Sequence, residues 1–310
     1  MYPIYTVPGN AALLTEQLGT KQKFWFRKDN GEVFLFKEPR PSTGEDWSEK
    51  VASELCELLS LPHAQYDLAV WKDRRGVISP NFAPYPYRLV HGNELLSKLD
   101  TNYPVKAFFR VQAHILRKVL ALIKALDPKF PIGWDSRVPL KSSVEVFVGY
   151  LMFDAWIANQ DRHHENWSIV VVPATEEEPD FRLHLAPSYD HASSLGRNES
   201  DISRKERLVT RDMGRHITAY VEKAESAFYS PSPNNTKPLT TIEAFCEAGK
   251  LYRDAANAWL DQLNKVTPKS MHAILEEVPK TLITETAIDF AFAMLSINKE
   301  RLLATRGMFQ

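Results

Sequence analysis

The sequence predicts an α+β molecule of two unequal lobes: a small antiparallel β-rich lobe over residues 1–103 and a larger helical lobe over 104–310. Three observations carry this. Two aromatic, β-prone runs flank an Asn-Gly pair near the N-terminus, long segments of helical period dominate after Pro104, and one β-rich interruption breaks those helices between Trp167 and Ala186.

The first lobe opens with Lys23–Arg27 and Val33–Lys37, joined through Lys28-Asp29-Asn30-Gly31-Glu32, and Asn-Gly between such runs marks a hairpin. A helix follows over Asp46 to Leu59 and stops near Pro62. Two more strands are expected over Ala64 to Trp71 and Gly76 to Phe82, turning at Asp73-Arg74-Arg75, before Pro84 and Pro86 punctuate the exit. In the second lobe, helices are expected over Lys106 to Leu126 and Ser142 to Asn159. The second of these is apolar almost all round, which marks a buried central helix. The C-terminal region from Thr241 carries Leu251, Ala255, Trp259 and Leu263 at helical spacing, as core packing requires.

Composition excludes several function classes. The 310 residues are 44% hydrophobic with a formal net charge of −1. No global basic field exists to hold nucleic acid, and sequence-specific nucleic-acid binding is not expected. Cys56 and Cys246 are the only cysteines, too few for a disulfide framework and without zinc-site spacing, so both read as reduced buried thiols. The first residues lack a basic start followed by an apolar run, and the longest apolar stretch, Val144 to Ala158, is too short to span a bilayer and contains Glu145 and Asp154. The chain reads as cytoplasmic, with no membrane partner.

The chemistry gathers at the end of the central helix. The polar cluster Asn159-Gln160-Asp161-Arg162-His163-His164-Glu165-Asn166 is followed by Trp167–Val172 and, after a polar loop, Phe181–Ala186. If those two runs pair as an antiparallel hairpin, Asn166 before the first and Asp190 after the second lie at the same end. An amide oxygen and a carboxylate together make a hard-oxygen site, and magnesium takes a few such ligands together with substrate phosphates. Asp161, five residues before Asn166, stands where a base could meet an incoming hydroxyl. Asp-x-x-x-x-Asn with a later Asp matches the catalytic loop and metal Asp of protein kinases, although the spacing alone also describes an ordinary capped loop.

The first lobe supplies an independent check. Lys37 ends a strand on the same side as Val33 and Leu35, and on a helical wheel Glu54 falls between Trp47, Val51 and Leu58, whereas Glu45, Glu49 and Glu57 point elsewhere. A Lys37–Glu54 pair is therefore expected, aiming the ammonium at nucleotide phosphates; the bland alternative is a solvated Lys and a surface Glu. Gly19-Thr20-Lys21, just before the first strand, could cover the phosphates, but it is not a G-x-G-x-x-G loop.

The segments Asn159–Asn166 and Ala186-Pro187-Ser188-Tyr189-Asp190 resemble the catalytic and metal-binding segments of HipA-like kinases, with Asp-Arg-His-x-x-Asn the specific part. The strand Gly76–Phe82 and the run Leu89–Glu94 are similar to short members of that family, and the likeness covers roughly residues 19–196. The resemblance implies a bilobal protein-kinase-like fold and a serine/threonine kinase using ATP and Mg²⁺. It gives Asp161 as base, Asn166 and Asp190 as metal ligands, and Lys37 on ATP. It also implies a protein substrate with Ser or Thr, and an antitoxin-like or regulatory protein partner, since some members are toxins of bacterial toxin–antitoxin pairs. Asp190-His191-Ala192 stands where ordinary kinases have Asp-Phe-Gly, so their activation switch is not implied. Two rival readings use the same residues: a small-molecule phosphotransferase and a catalytically silent interaction module. The basic and acidic segment Gly196–Arg215 reads either as a solvated face or as a segment running beside the site.

Overall fold

The computed structural model describes residues 1–11, 14–15, 22–107, 110–231 and 236–310. A six-stranded sheet comes first, in the order β1-β5-β6-β4-β3-β2. Its strands are β1 (Ile4–Thr6), β2 (Leu14–Thr15), β3 (Lys23–Arg27), β4 (Val33–Lys37), β5 (Asp67–Trp71) and β6 (Arg74–Pro80). All neighbours are antiparallel except β1, which runs parallel to β5 at the edge.

The β3–β4 hairpin forms where Asn-Gly places it. Gly31 adopts φ +88, the left-handed conformation that costs glycine least. Alternation along the two strands puts Phe24, Phe26, Phe34 and Phe36 on one face, where they form a core with Val7, Ala69 and Ile78. The opposite parity sends Lys37 to the other face, beside its cross-strand partner Val77 and the Leu68 that pairs with Val77. The turn between β5 and β6 is at Lys72-Asp73, one residue earlier than expected. Both residues have positive φ (49 and 63), as a two-residue turn matching strand twist requires.

Helix α1 (Glu45–Leu59) begins with Glu45 and Asp46, whose charges suit the positive end of the helix dipole. It ends at Ser60, which is left-handed with φ 52. Its residues Trp47, Val51 and Leu55 belong to the large core of the C-terminal half rather than to the phenylalanine cluster of the sheet. After residue 80 the chain crosses to a three-stranded sheet, ordered β7 (Arg88–His91), β8 (Ser168–Val172) and β9 (Arg182–Leu185), all antiparallel. Helix α2 (Gly92–Leu99) follows β7 directly.

Helix α3 spans only Leu116–Leu126; between it and Lys106, Arg110 takes a positive φ of 52 and the described residues run in turns. Helix α4 (Ser143–Ile157) is buried along almost its whole length and contacts α3, α7 (Thr241–Leu251), α8 (Arg253–Lys265) and α10 (Glu285–Ala304). Between them lie α5 (Asp201–Val209), α6 (Ile217–Glu222) and α9 (Pro268–Glu276), and a 3-10 turn closes the chain at Thr305–Phe309. The expected small sheet and larger helical region are both present. Cys56 and Cys246 are unpaired and buried, and no described helix is long and apolar enough to cross a membrane.

Candidate active site

Helix α4 stops at Ala158, left-handed with φ 53, and the chain then folds back on the helix end. The buried Asp154 carboxylate holds it there, accepting from Asn159 Nδ2 (2.8 Å), Arg162 Nε (2.8 Å) and Arg162 Nη2 (2.7 Å). Arg162 is 1% exposed. Burial would depress its guanidinium pKa, but the two-point contact with Asp154 outweighs this and raises it. Its remaining donors reach Asn166 O (3.0 Å), Tyr189 O (3.3 Å) and Ser188 Oγ (2.8 Å). One side chain thus ties the helix end, the 161–166 loop and the strand exit at 188–190 together.

Asn166 donates Nδ2 to Asp161 O (2.7 Å), leaving its amide oxygen as the donor available to a cation. The Asp161 carboxylate accepts from Ser193 Oγ (3.2 Å) and lies 3.8 Å from His163 Nε2. His164 turns the other way, its Nδ1 paired with Tyr103 OH at 2.9 Å. The predicted β8–β9 hairpin brings Tyr189 to the start of β8, where its hydroxyl contacts Ser168 Oγ (2.5 Å) and donates to Glu165 O (2.6 Å). Asp190 follows in the left-handed region, φ 59.

Lys37 is buried, with its Nζ 2.6 Å from Asp190 Oδ1 and 3.0 Å from Glu49 Oε2. Burial alone would lower its pKa, yet Asp190 and then Glu49 lift it well above the ordinary lysine value, so it is charged. The partner on α1 is therefore Glu49, and the expected Lys37–Glu54 pair is corrected. Glu54 binds Lys50, one turn away on its own helix, at 2.6 Å, and Lys50 also reaches Asp67 at 3.0 Å. The helical wheel fails because it assumes one apolar face, whereas the first half of α1 is buried all round and seats a fully buried carboxylate at Glu49.

Glu49 also accepts from the backbone N of His191 at 2.6 Å. The His191 ring, wholly buried, contacts Ser188 Oγ through Nε2 at 2.6 Å. Burial, then the Arg162 charge, hold the imidazole pKa well below its usual value and keep the ring neutral. Sequence reasoning did not find Glu49, Ser188 or His191; a polar residue in place of the phenylalanine of Asp-Phe-Gly was the available sign.

Gly19, Thr20 and Lys21 lie outside the described residues. Of the other expected site residues, Lys37 contacts Asp190 and Asn166 contacts Asp161, with Arg162 tying the two segments together, and Glu54 does not join them. Asp190 and Asn166 are the residues that could hold a magnesium ion. Asp190 already carries a cation on one oxygen, in the form of the Lys37 ammonium, and the hydrogen bond of Asn166 to Asp161 O uses its amide nitrogen and not its oxygen. Among the described residues no group of three or more His, Cys, Asp or Glu side chains is placed to hold a metal, so an ion here would complete its shell with phosphate and water.

The architecture is a bilobal, kinase-like fold similar to that of HipA. In particular, the chain is similar to the Helicobacter pylori proinflammatory kinase CtkA, with a TM-score of 0.71 and 19% identity over 94% of this chain and 92% of that one. It is also similar to HipA of the Shewanella oneidensis MR-1 toxin–antitoxin system, solved with HipB and operator DNA, with a TM-score of 0.53 and 11% identity over 97% of this chain and 67% of that one. No protein-family model matches the chain, and no curated protein matches it in sequence.

Proposed function

We propose that this chain is an ATP- and Mg²⁺-dependent kinase that transfers the γ-phosphoryl group to a serine or threonine hydroxyl of a protein. The observation that carries the reading is the buried Lys37 ammonium held between Glu49 and Asp190, with Asp161 and Asn166 on the adjoining loop. A buried lysine fixed by a helix carboxylate is what phosphate binding needs, because it presents a positive charge without the freedom to wander. Lys37 binds the nucleotide phosphates, Glu49 positions it, and Asn166 and Asp190 hold the ion. Magnesium supplies charge neutralisation on the phosphates. Asp161 orients the attacking hydroxyl and takes its proton.

The acceptor side favours a protein over a cationic small molecule. A cavity of about 340 Å³ borders Asp161, and besides that carboxylate its acidic and basic lining is Glu225, Arg110 and histidines. Burial pushes two of those histidines, His114 and His164, down to about 3 and about 4, which leaves them neutral. A polycationic acceptor would find one further carboxylate there. A silent interaction module would not need a lysine, two carboxylates and an asparagine converging in one place. An antitoxin-like or regulatory protein partner is the further part of this reading, supported by likeness to HipA, which is solved with HipB.

The test is a melting curve with and without Mg-ATP, together with transfer from labelled ATP to a degenerate Ser/Thr peptide mixture. A ligand at a hundred times its Kd adds about 2.7 kcal/mol to stability. An unshifted curve and unlabelled peptides would end the kinase reading.

A further inference from the structure

Ser193 has no role in the reading above, yet its hydroxyl donates to Asp161 Oδ2 at 3.2 Å. That hydroxyl in turn accepts from Arg197 Nη2 at 2.9 Å, and the Ser193 carbonyl accepts from the backbone N of Gln160 at 3.2 Å. Arg197 is anchored at the start of α1. Its Nε lies 3.3 Å from Glu45 Oε1, and its carbonyl accepts from the backbone N of Gly44 at 3.0 Å. One turn further along α1, Ser48 Oγ contacts the carbonyl (3.2 Å) and hydroxyl (3.0 Å) of Ser194. The same helix carries Glu49, which holds Lys37.

We infer that Ser193 and Arg197 are positioning residues that fix the Asp161 carboxylate from α1. The inference rests on the kinase reading and deepens it. Arg197 spends Nη2 on the Ser193 oxygen, so the hydroxyl proton is directed to Asp161 and one carboxylate oxygen is pinned. The other oxygen stays on the side of His163, beside the acceptor cavity. Helix α1 therefore sets both halves of the site, the phosphate-binding lysine through Glu49 and the base through Arg197 and Ser193. A displacement of α1 would disarm both together, and the acceptor hydroxyl would meet a base free to rotate.

The experiment compares Ser193→Ala, Ser193→Val, Ser193→Thr and Arg197→Gln with the unaltered chain. It reads Mg-ATP affinity by calorimetry and transfer from labelled ATP to the degenerate Ser/Thr peptide mixture. Mg-ATP affinity is expected to stay within about threefold in all four, while transfer falls at least tenfold in Ser193→Ala, Ser193→Val and Arg197→Gln. Ser193→Thr, which keeps a hydroxyl, recovers most of the rate, a rescue that mere packing would not give because Val has the shape of Thr. Val matching Thr, or affinity falling in step with rate, overturns the inference. So does phosphate found on Ser193 itself, since the hydroxyl would then be an acceptor and not a strut. An unaltered chain that binds Mg-ATP and labels peptides while the variants match it removes this inference alone; one that does neither removes the kinase reading and this inference with it.

Discussion

Single side chains divide the labour of the site in ways that substitutions separate. Glu49 is fully buried on Lys37 and His191, so Glu49→Gln leaves the ammonium with one carboxylate and should cut transfer about a hundredfold. Glu54→Gln loses a contact with Lys50 that lies apart from Lys37 and Asp190, and should stay within about twofold in rate; equal effects in steady-state kinetics would refute the assignment of the pair. The two aspartates differ as well. On the proposed reading Asp161→Asn removes proton acceptance but leaves the nucleotide side intact, whereas Asp190→Asn removes the negative charge beside Lys37 and at the proposed metal position. Calorimetry with Mg-ATP should find affinity kept in the first and weakened tenfold or more in the second; the reverse pattern would exchange their roles. The placement of Asp161, Asn166 and Asp190 beside the β8–β9 hairpin was legible because their spacing around it is a property of the chain itself. Glu49 was not, since a buried carboxylate beside a buried lysine breaks the rule that polar residues mark the solvent face.

At the scale of elements, periodicity located α4 because a helix apolar on every side can only be central, and it located the β8–β9 hairpin because two β-prone runs flank one polar loop. It extended α3 ten residues too far. The residues from Lys106 to Ile115 have helical composition, but His114 gives its ring to Ala227 O and Trp167, contacts distant in sequence that override local propensity. The strand β7 was not expected, and the run Leu89–Glu94 stood out only by likeness to a known family, since four residues are too few for alternation to be read. Packing of α4 yields a sharp expectation at Gly149. Alanine in an open helix position would gain up to about 1 kcal/mol over glycine. Here a Cβ would lie 2.3 Å from the Trp259 indole, which is itself fastened to Glu145 O at 2.9 Å. Overpacking wins, and Gly149→Ala should destabilise by roughly 1–3 kcal/mol. Chemical denaturation showing equal or greater stability would mean that α8 yields more readily than its hydrogen bond implies.

The whole molecule is stitched across its two parts by α1, whose apolar side lies in the large C-terminal core while its carboxylate holds a lysine of the N-terminal sheet. That core contains a buried histidine with consequences for global stability. His114 is 1% exposed, donates Nδ1 to Ala227 O at 2.9 Å and accepts from Trp167 Nε1 at 3.1 Å, an arrangement only the neutral ring can make. Burial, first among the causes, holds its pKa down to about 3, against 6.5 for an unconstrained ring. As pH falls below 6.5 the unfolded chain takes up this proton and the folded chain does not, so the unfolded state binds more protons and stability drops. The contribution is complete above pH 6.5 and is lost progressively toward pH 3. At about 1.36 kcal/mol for each pH unit in that window, the cost between pH 6.5 and 4.5 is roughly 2–3 kcal/mol from this one residue. Glutamine can donate and accept in the same places without titrating. His114→Gln should therefore lower stability modestly at neutral pH while flattening its decline in acid, and melting curves of both proteins across pH 6.5 to 4.5 should converge. Parallel curves would show that His114 takes its proton in the folded state, and that the ring is not held between Ala227 and Trp167 in solution.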